Sequence, residues 1–440
     1  MQQGTAEGGL GDSRQFSPAY RYYIVGVLLL VGTLNFLDRH VMSVLLEPIR
    51  RDLQLSDTQM GFLTGIAFGL TYVLLSIPAA LLADRWSRRN VIAIAIFIWS
   101  AGTIFCGLAK NAFQLFIGRV AVGFGEAGGS PPSQAIISDL FSRERRATAM
   151  AFFTLCSPFG LMLGLMGGGW ALQEYGWRTT FILAGLPGLL IIPLVLLTVP
   201  DPPKGMSDGL KTPPANVPFL ETVRILWSIR TFRYLGLAAT LQTVLTIGLS
   251  TWIPAFLMRS HQFDPASLGL QLGITVPLGL VAGILLGGPL IDWLGRRDLR
   301  MQLWFGAVSV LVAASFGAAA FLADREYVFI LLGLQAMFGS MFSGPLPAIA
   351  LTLAPVAVRA TAYACLLVFI NAFAFGLAPQ IVGWASDLLR PAYGEESLRV
   401  ALLSATALAL PTAIFFLLGS RSYRADLDEA LARDAAASGT

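Results

Sequence analysis

Four ionisable side chains stand inside apolar stretches of this sequence. Asp38 and Arg39 fall within Asn35-Phe36-Leu37-Asp38-Arg39-His40, and Arg119 and Glu126 within Arg119-Val-Ala-Val-Gly123-Phe-Gly125-Glu126-Ala-Gly128. A charge at the centre of a hydrocarbon layer costs about 3 kcal/mol or more, so these residues need partners or a task. The i to i+7 spacing of Arg119 and Glu126 puts both on one helix face, about 10 Å apart along the axis. Two acids and two bases on neighbouring helices can neutralise one another. One reading is a salt-bridge network that only pins helices together; the other is a proton relay. In the second, loss of water favours the neutral acid and a nearby arginine favours the anion. A movement or an arriving substrate that takes the arginine away makes the carboxylate accept a proton. Asp38 and Glu126 are then the proton carriers, while Arg39 and Arg119 compensate them or hold an anionic group.

Other chemistries lack their residues. The histidines are His40 and His261 alone, which leaves no HExxH, no zinc constellation and no base for a Ser-His-Asp site. Cys106, Cys156 and Cys365 each lie in an apolar run without metal-ligand spacing and read as core filler. No catalytic residue, cofactor or metal is expected, and the chain is not expected to be an enzyme. Gly123-x-Gly125-x-x-Gly128 matches a dinucleotide fingerprint but follows no strand, so its glycines are expected to let a neighbouring helix approach. Gly160, Gly164 and Gly168, and Gly283 and Gly287, have the same expected use. Pro131, Pro132, Pro158, Pro277, Pro345 and Pro379 are expected to kink spans and serve as rocking points.

These residues need elements to position them, and composition decides the kind. The 440 residues are 55% hydrophobic and 13% charged, with mean hydropathy +0.68. A soluble chain carries about 25% charged residues. Twelve apolar runs, at roughly 20–45, 59–83, 91–110, 112–139, 146–172, 178–199, 232–257, 267–292, 301–322, 327–353, 358–388 and 397–419, are each long enough to cross about 30 Å of hydrocarbon. The expected division is a tail 1–19, a six-helix bundle 20–199, a linker 200–231 with an amphipathic piece around Phe219 to Ile229, a second bundle 232–419 and a tail 420–440. Residues 1–19 show no cleavable signal, so the first helix is expected to act as its own. With the tails and linker on one side, about twenty Lys and Arg lie there and about eight opposite. That makes the tail side cytoplasmic and accounts for the net charge of +4 without nucleic acid.

An internal repeat relates the bundles. Ala80-Leu-Leu-Ala-Asp84-Arg85-Trp-Ser-Arg88-Arg89 recurs as Gly288-Pro-Leu-Ile-Asp292-Trp-Leu-Gly295-Arg296-Arg297, and Arg146-Ala-Thr148-Ala as Arg359-Ala-Thr361-Ala. Asp84 and Asp292 end helices where a carboxylate can meet a helix N-terminus of the other half. Arg85, Arg88 and Arg89 can pair with acids such as Asp139, and Arg296 and Arg297 repeat the arrangement. Such a cytoplasmic gate would close that side; the alternative is topogenic charge alone. The second bundle offers no buried charge by this reading. Its embedded polar residues are Gln242, Thr246, Gln335, Ser340, Ser343, Asn371 and Gln380. A charged first wall facing a mostly apolar second wall suits an amphipathic anion.

The doubled Asp-x-x-[Gly/Ser]-Arg-Arg loop resembles the signature of the major facilitator superfamily, with Ala80 and Ser87 where glycine is usual. The runs Asn35-Phe-Leu-Asp38-Arg39, Arg119-x-x-x-Gly123-x-Gly125-Glu126-Ala, Ser138-Asp139-Leu-Phe-Ser-x-Glu-Arg145-Arg146 and Gly176-Trp177-Arg178 resemble its Spinster branch, associated with sphingosine phosphate and lysolipids. Symporters for sugar acids share similar first- and fourth-helix motifs. The resemblance implies an all-α membrane fold of twelve helices in two pseudo-symmetric bundles. It implies proton coupling by Asp38 and Glu126 and substrate binding by Arg39, Arg119 and Asn35. The expected protein is a secondary active transporter of a bacterial inner membrane, monomeric, whose partners are a small amphipathic anion, protons and membrane lipids.

Overall fold

The computed structural model describes residues 16–202, 219–355 and 359–438, and among these all regular structure is helical. Pro18–Asp52 (α1) starts at Ser17, whose Oγ accepts the Tyr20 N–H at 3.3 Å. The second crossing, α2, opens as Asp57–Thr64 behind a Ser56/Gln59 capping box, loosens into a π-helical turn at Ile66–Leu70 and resumes as Thr71–Arg85. Arg88–Leu108 is α3. α4 runs as Ala112–Ala127, breaks at Gly128 and Gly129, and restarts on Pro131 and Pro132 as Ser130–Leu140. Arg143–Thr154 leads into Cys156–Thr198, whose limbs before and after Gly176 are α5 and α6. After the linker helix Phe219–Ser228 come Arg230–Ser260 (α7), Pro265–Gly295 (α8) and Arg300–Leu322 (α9). α10 is Val328–Ser340, broken and restarted at Pro345–Leu353; α11 is Arg359–Tyr393; α12 is Ser397–Ala405 continued by Ala409–Ser438.

Twelve crossings result. Nine described stretches are long and apolar enough to span a membrane. Two of them, Arg145–Thr198 and Cys365–Arg433, each hold two crossings. α4 falls outside that set; its pieces of 16 and 11 residues carry Arg119, Glu126 and Asp139. The breaks in α4 and α10 occupy equivalent places in the two halves, and each restarts on proline at a first-turn position, where its missing N–H costs nothing. An even number of crossings puts both chain ends and the linker on one face, called the tail face below; the other is the far face. Large apolar side chains such as Leu190, Leu197 and Leu285 are exposed on the outside, as a lipid solvent requires.

The halves pack on each other toward the far face. Gly169 of α5 meets Gly269 of α8 so closely that a Cβ on either would lie 3.1 Å from the other's Cα. A Cβ on Gly61 of α2 would stand 2.7 Å from the Pro379 carbonyl of α11. Small residues let these backbones touch without side chains between them. Gly160 and Gly164 pack on α1 in the same way, and Gly125 and Gly128 on α3. The hydrophobic core divides accordingly: one cluster holds Ile24, Leu28, Trp99 and Ile137 in the first half, and a larger one runs across both halves.

The α5–α6 corner depends on Gly176, with φ +75° and ψ 169°. That region is open essentially to glycine alone and costs other residues about 1–3 kcal/mol. No atom crowds this position, so the cost is purely conformational. Gly176→Ala should lower stability by about 1–3 kcal/mol, read as a lower thermal midpoint in detergent; an unchanged midpoint would show that the corner can be made another way.

Candidate functional site

α1 and α4 bring the four span-embedded charges together. Arg39 Nε donates to Glu126 Oε2 at 2.5 Å, and the Arg39 side chain is 11% exposed while that of Glu126 is fully buried. Asp38, on the adjacent position of α1, turns to α3 instead and accepts the Thr103 hydroxyl at 3.0 Å. Arg119 is buried with its guanidinium 4.8 Å from the centre of the Phe68 ring. Asp38 Oδ1, Glu126 Oε1, Arg119 Nε and both amide atoms of Asn35 have no hydrogen-bond partner among the described residues. Arg119 and Glu126 are both buried, Glu126 against Arg39 of α1 and Arg119 against Phe68 of α2.

Aromatic rings complete this centre. The Arg39 guanidinium lies 4.6 Å from the Tyr72 ring centre, 5.2 Å from Phe36, 5.4 Å from Phe68 and 5.2 Å from Phe375. Ring faces attract a desolvated cation by about 2 kcal/mol. Three of these rings come from the first half, but Phe375 belongs to α11, so the cage spans the junction of the halves. The π turn in α2 puts Phe68 there; such turns re-aim side chains that a regular helix would present elsewhere. Sequence reading missed this cage because nothing in the spacing of Phe36, Phe68, Tyr72 and Phe375 marks them as neighbours.

A cavity of about 490 Å³ lies between the halves. Arg39, His40 and Arg119 line it from the first half. Asp38, Glu126 and Asn35, 3%, 1% and 2% exposed, are buried behind that wall. The second wall carries polar residues among a mostly apolar lining. α7 presents Gln242, Thr243, Thr246 and Ser250 in a stripe, and α10 adds Gln335, Ser340 and Ser343. Asn371 and Gln380, grouped with them on the sequence, lie off this wall.

One cluster was missed altogether. The expectation that the second half carries no buried charge is corrected by Arg259, near the far end of α7, whose side chain is 4% exposed. It donates to Glu47 Oε2 at 2.6 Å and to both oxygens of Asp57 at 2.6 and 2.8 Å. Ser386 donates to Asp57 at 2.6 Å, and Asp387 accepts the N–H groups of Asp57 and Thr58. α11 is thereby tied to the start of α2, and α7 to α1 and α2. Glu47 and Arg259 stand outside the expected spans 20–45 and 232–257, where nothing in the sequence marks a charge as buried. Closure of the far face is what buries them. Among the described residues, the ion pairs that join the two halves are these.

The tail face differs. Arg88 pairs with Asp139, and the Arg88 N–H donates to Asp201 at 3.2 Å, all within the first half. Arg85 is exposed, Arg89 half-buried, and the side chain of Asp84 lies outside the described residues. Asp292, Arg296 and Arg297 are exposed, with Arg297 stacked on Trp293 at 4.0 Å. Among the described residues the expected pairing of the tail-face loop with Asp139 is made by Arg88 within the first half, and the ion pairs between the halves lie at the far face. At the α5–α6 corner, Trp177 and Arg178 both donate to Asp52, at 3.3 and 2.8 Å. That gives the Gly176-Trp177-Arg178 run a structural use.

Comparison with known proteins agrees with this architecture. The Major Facilitator Superfamily profile matches residues 28–379. An MFS-type efflux pump of Mycolicibacterium smegmatis is 36% identical over 94% of this chain and 95% of its own length. The protein of Bacillus subtilis named "probable galactarate/D-glucarate transporter GudP" is 26% identical, covering 73% of this chain and 76% of its own. The sphingosine-1-phosphate transporter SPNS2 of Xenopus tropicalis is 26% identical, covering 85% and 75%. Among solved structures, a bacterial homologue of the human lysosomal transporter Spinster, inward-facing and unoccupied, superposes with a TM-score of 0.83 at 28% identity, over 93% of this chain and 99% of that one.

Arg259→Met removes the cation that the second half supplies to two buried carboxylates, with Arg50 and Arg51 as their remaining basic neighbours. Breaking one side of a buried pair costs about 3–5 kcal/mol. The thermal midpoint of the variant in detergent should fall clearly, and a midpoint like that of the parent would show that Arg259 does not hold the far face shut.

Proposed function

The chain belongs to the major facilitator superfamily as a Spinster-like multi-pass membrane transporter and not an enzyme, and from that premise we propose proton-coupled movement of an amphipathic organic anion by alternating access. The observation that carries the reading is the buried Arg39–Glu126 pair, whose arginine lines the cavity while its acid does not. An anionic group entering the cavity meets Arg39 and Arg119 first. It competes with Glu126 for Arg39, because attraction of the guanidinium to the entering anion weakens the compensation that Glu126 receives. Glu126, losing its cation, takes a proton. Asp38 has an oxygen without a partner among the described residues and lies on the same helix turn, so it is the second proton acceptor. Substrate and proton then occupy the protein together, and the transition exchanges the far-face clasp at Arg259 for a tail-face gate built from Asp84, Arg85, Arg88, Arg89, Asp139, Asp292, Arg296 and Arg297. The protein is placed in a bacterial inner membrane as a monomer with its tails and linker in the cytoplasm, the side rich in Lys and Arg.

A second reading of the substrate is a sugar acid. The hydroxyl stripe on α7 favours it, as does the likeness to GudP. The apolar residues Phe36, Leu161, Leu280 and Leu346 along the cavity favour the amphipathic anion.

In proteoliposomes, Glu126→Gln and Asp38→Asn should each abolish uptake driven by a pH gradient while the variants still fold. Normal coupled uptake by both would discard the proton assignment. Arg119→Ser should weaken binding of dodecyl phosphate or D-glucarate by about tenfold or more, as expected for a lost charge-assisted hydrogen bond. Unchanged affinity in calorimetry would remove Arg119 from the anion site.

A further inference from the structure

The two walls of the cavity differ in the sense of their hydrogen bonding. On the second wall the hydroxyl protons are already committed to backbone carbonyls. Thr243 donates to Ala239 O at 2.7 Å, Thr246 to Gln242 O at 2.9 Å, Ser250 to Ile247 O at 3.2 Å and Ser343 to Ser340 O at 2.7 Å. Gln242 Nε2 donates to Gly339 O at 2.8 Å, across to α10. A hydroxyl has one proton and two lone pairs, and a side-chain amide has an oxygen that only accepts. With their single protons spent, the hydroxyls of Thr243, Thr246, Ser250 and Ser343 have acceptor oxygens left for the cavity, while Gln242 keeps one N–H beside its acceptor oxygen. Gln335, the other amide on this wall, can act either way. The first wall has the opposite sense: Arg39 and Arg119 carry donors only. Of its hydroxyls, Ser43 and Thr64 are likewise committed to carbonyls, at 2.7 and 2.9 Å, and Ser157 is the third on this wall.

Residues 242, 243, 246 and 250 recur at helical spacing on one face of α7, so their oxygens form a continuous strip along the cavity. We infer that this strip is a donor-selecting subsite: Gln242, Thr243, Thr246 and Ser250 recognise a hydroxyl or ammonium on the transported anion. The substrate is then two-ended, with an acidic group against the arginines and a hydrogen-bond donor against α7. An anion without a donor leaves several acceptors facing it unpaired. Sites built to hydrogen-bond a substrate group discriminate strongly against analogues that lack it. The inference rests on the anion reading above and adds the second pole of recognition, which applies equally to a lipid-like anion and to a sugar acid.

Matched ligands test it on the purified full-length protein in nanodiscs, by calorimetry. Dodecyl phosphate is compared with 2-hydroxydodecyl phosphate and 2-aminododecyl phosphate, and adipate with D-glucarate, which share an acidic group and differ in donors. In at least one series the donor-bearing ligand should bind about tenfold tighter or more. The hydroxyl and amine arms tell which donor is preferred. In the near-isosteric Thr243→Val/Thr246→Val variant that ratio should fall below about twofold, and Gln335→Leu should leave most of it. Equal affinity within both series, or a preference that survives the double variant, overturns the donor subsite while leaving the anion reading intact. Binding of no ligand in either series overturns both.

Discussion

The cost of an ionised side chain away from water organises this molecule. In hydrocarbon a charge is tolerated only against an opposite charge, a polar wall or an aromatic face, and each solution ties together elements that lipid alone would leave free to separate. α1 carries two such charges and α4 two more, so these helices are held together by electrostatics as well as by packing. Pairing does not make the centre stable in any strong sense, because desolvation offsets much of the attraction between buried partners. What the arrangement provides is sensitivity. Arg39 has Glu126 on one side, four aromatic rings around it and the cavity beside it. A modest change in what the cavity holds alters which partner it prefers.

The same constraint operates a second time at the far face. Arg259 serves Glu47 and Asp57 at once, and Asp387 caps the start of α2 from the other half. These groups are dry only while the halves touch. When the far face opens, water reaches every member, and the desolvation cost that opposed the pair disappears together with the pair itself. A clasp of this kind is therefore nearly balanced between its open and closed states, unlike an apolar seam of the same area. The glycine contacts of α5 with α8 and α2 with α11 add close backbone packing, which gives shape without a large energetic commitment.

Two broken helices lie beside the cavity. α4 and α10 each interrupt midway and restart on proline, which leaves carbonyls and N–H groups outside the regular ladder; the α10 break puts Phe342 and Ser343 on the cavity, and the α4 break at Gly128 and Gly129 packs on α3. Backbone of this sort is admissible at membrane depth only where protein or a polar cavity covers it. The prolines that read on the sequence as rocking points fall into two kinds here. Pro131, Pro132 and Pro345 start helices, whereas Pro277 and Pro379 are embedded within long ones.

The sequence alone determined that this is a twelve-helix membrane protein in two related halves, because apolar runs of bilayer length and a repeated Asp/Arg-Arg loop need no partner to be recognised. It also singled out Asp38, Arg39, Arg119 and Glu126, since a charge inside an apolar run is costly wherever the helix ends up. Glu47, Asp57 and Arg259 could not be found that way. They stand at the edges of spans, where water is the default, and only contact between residues some 200 positions apart removes it. The aromatic cage and the acceptor strip on α7 are of the same class: common residue types whose meaning is set by what faces them. Local chemistry is written along the chain, but whether a side chain is wet, which neighbour satisfies it and which of its hydrogen-bonding atoms remain free are settled by how the two halves pack, and that is a property of the tertiary structure.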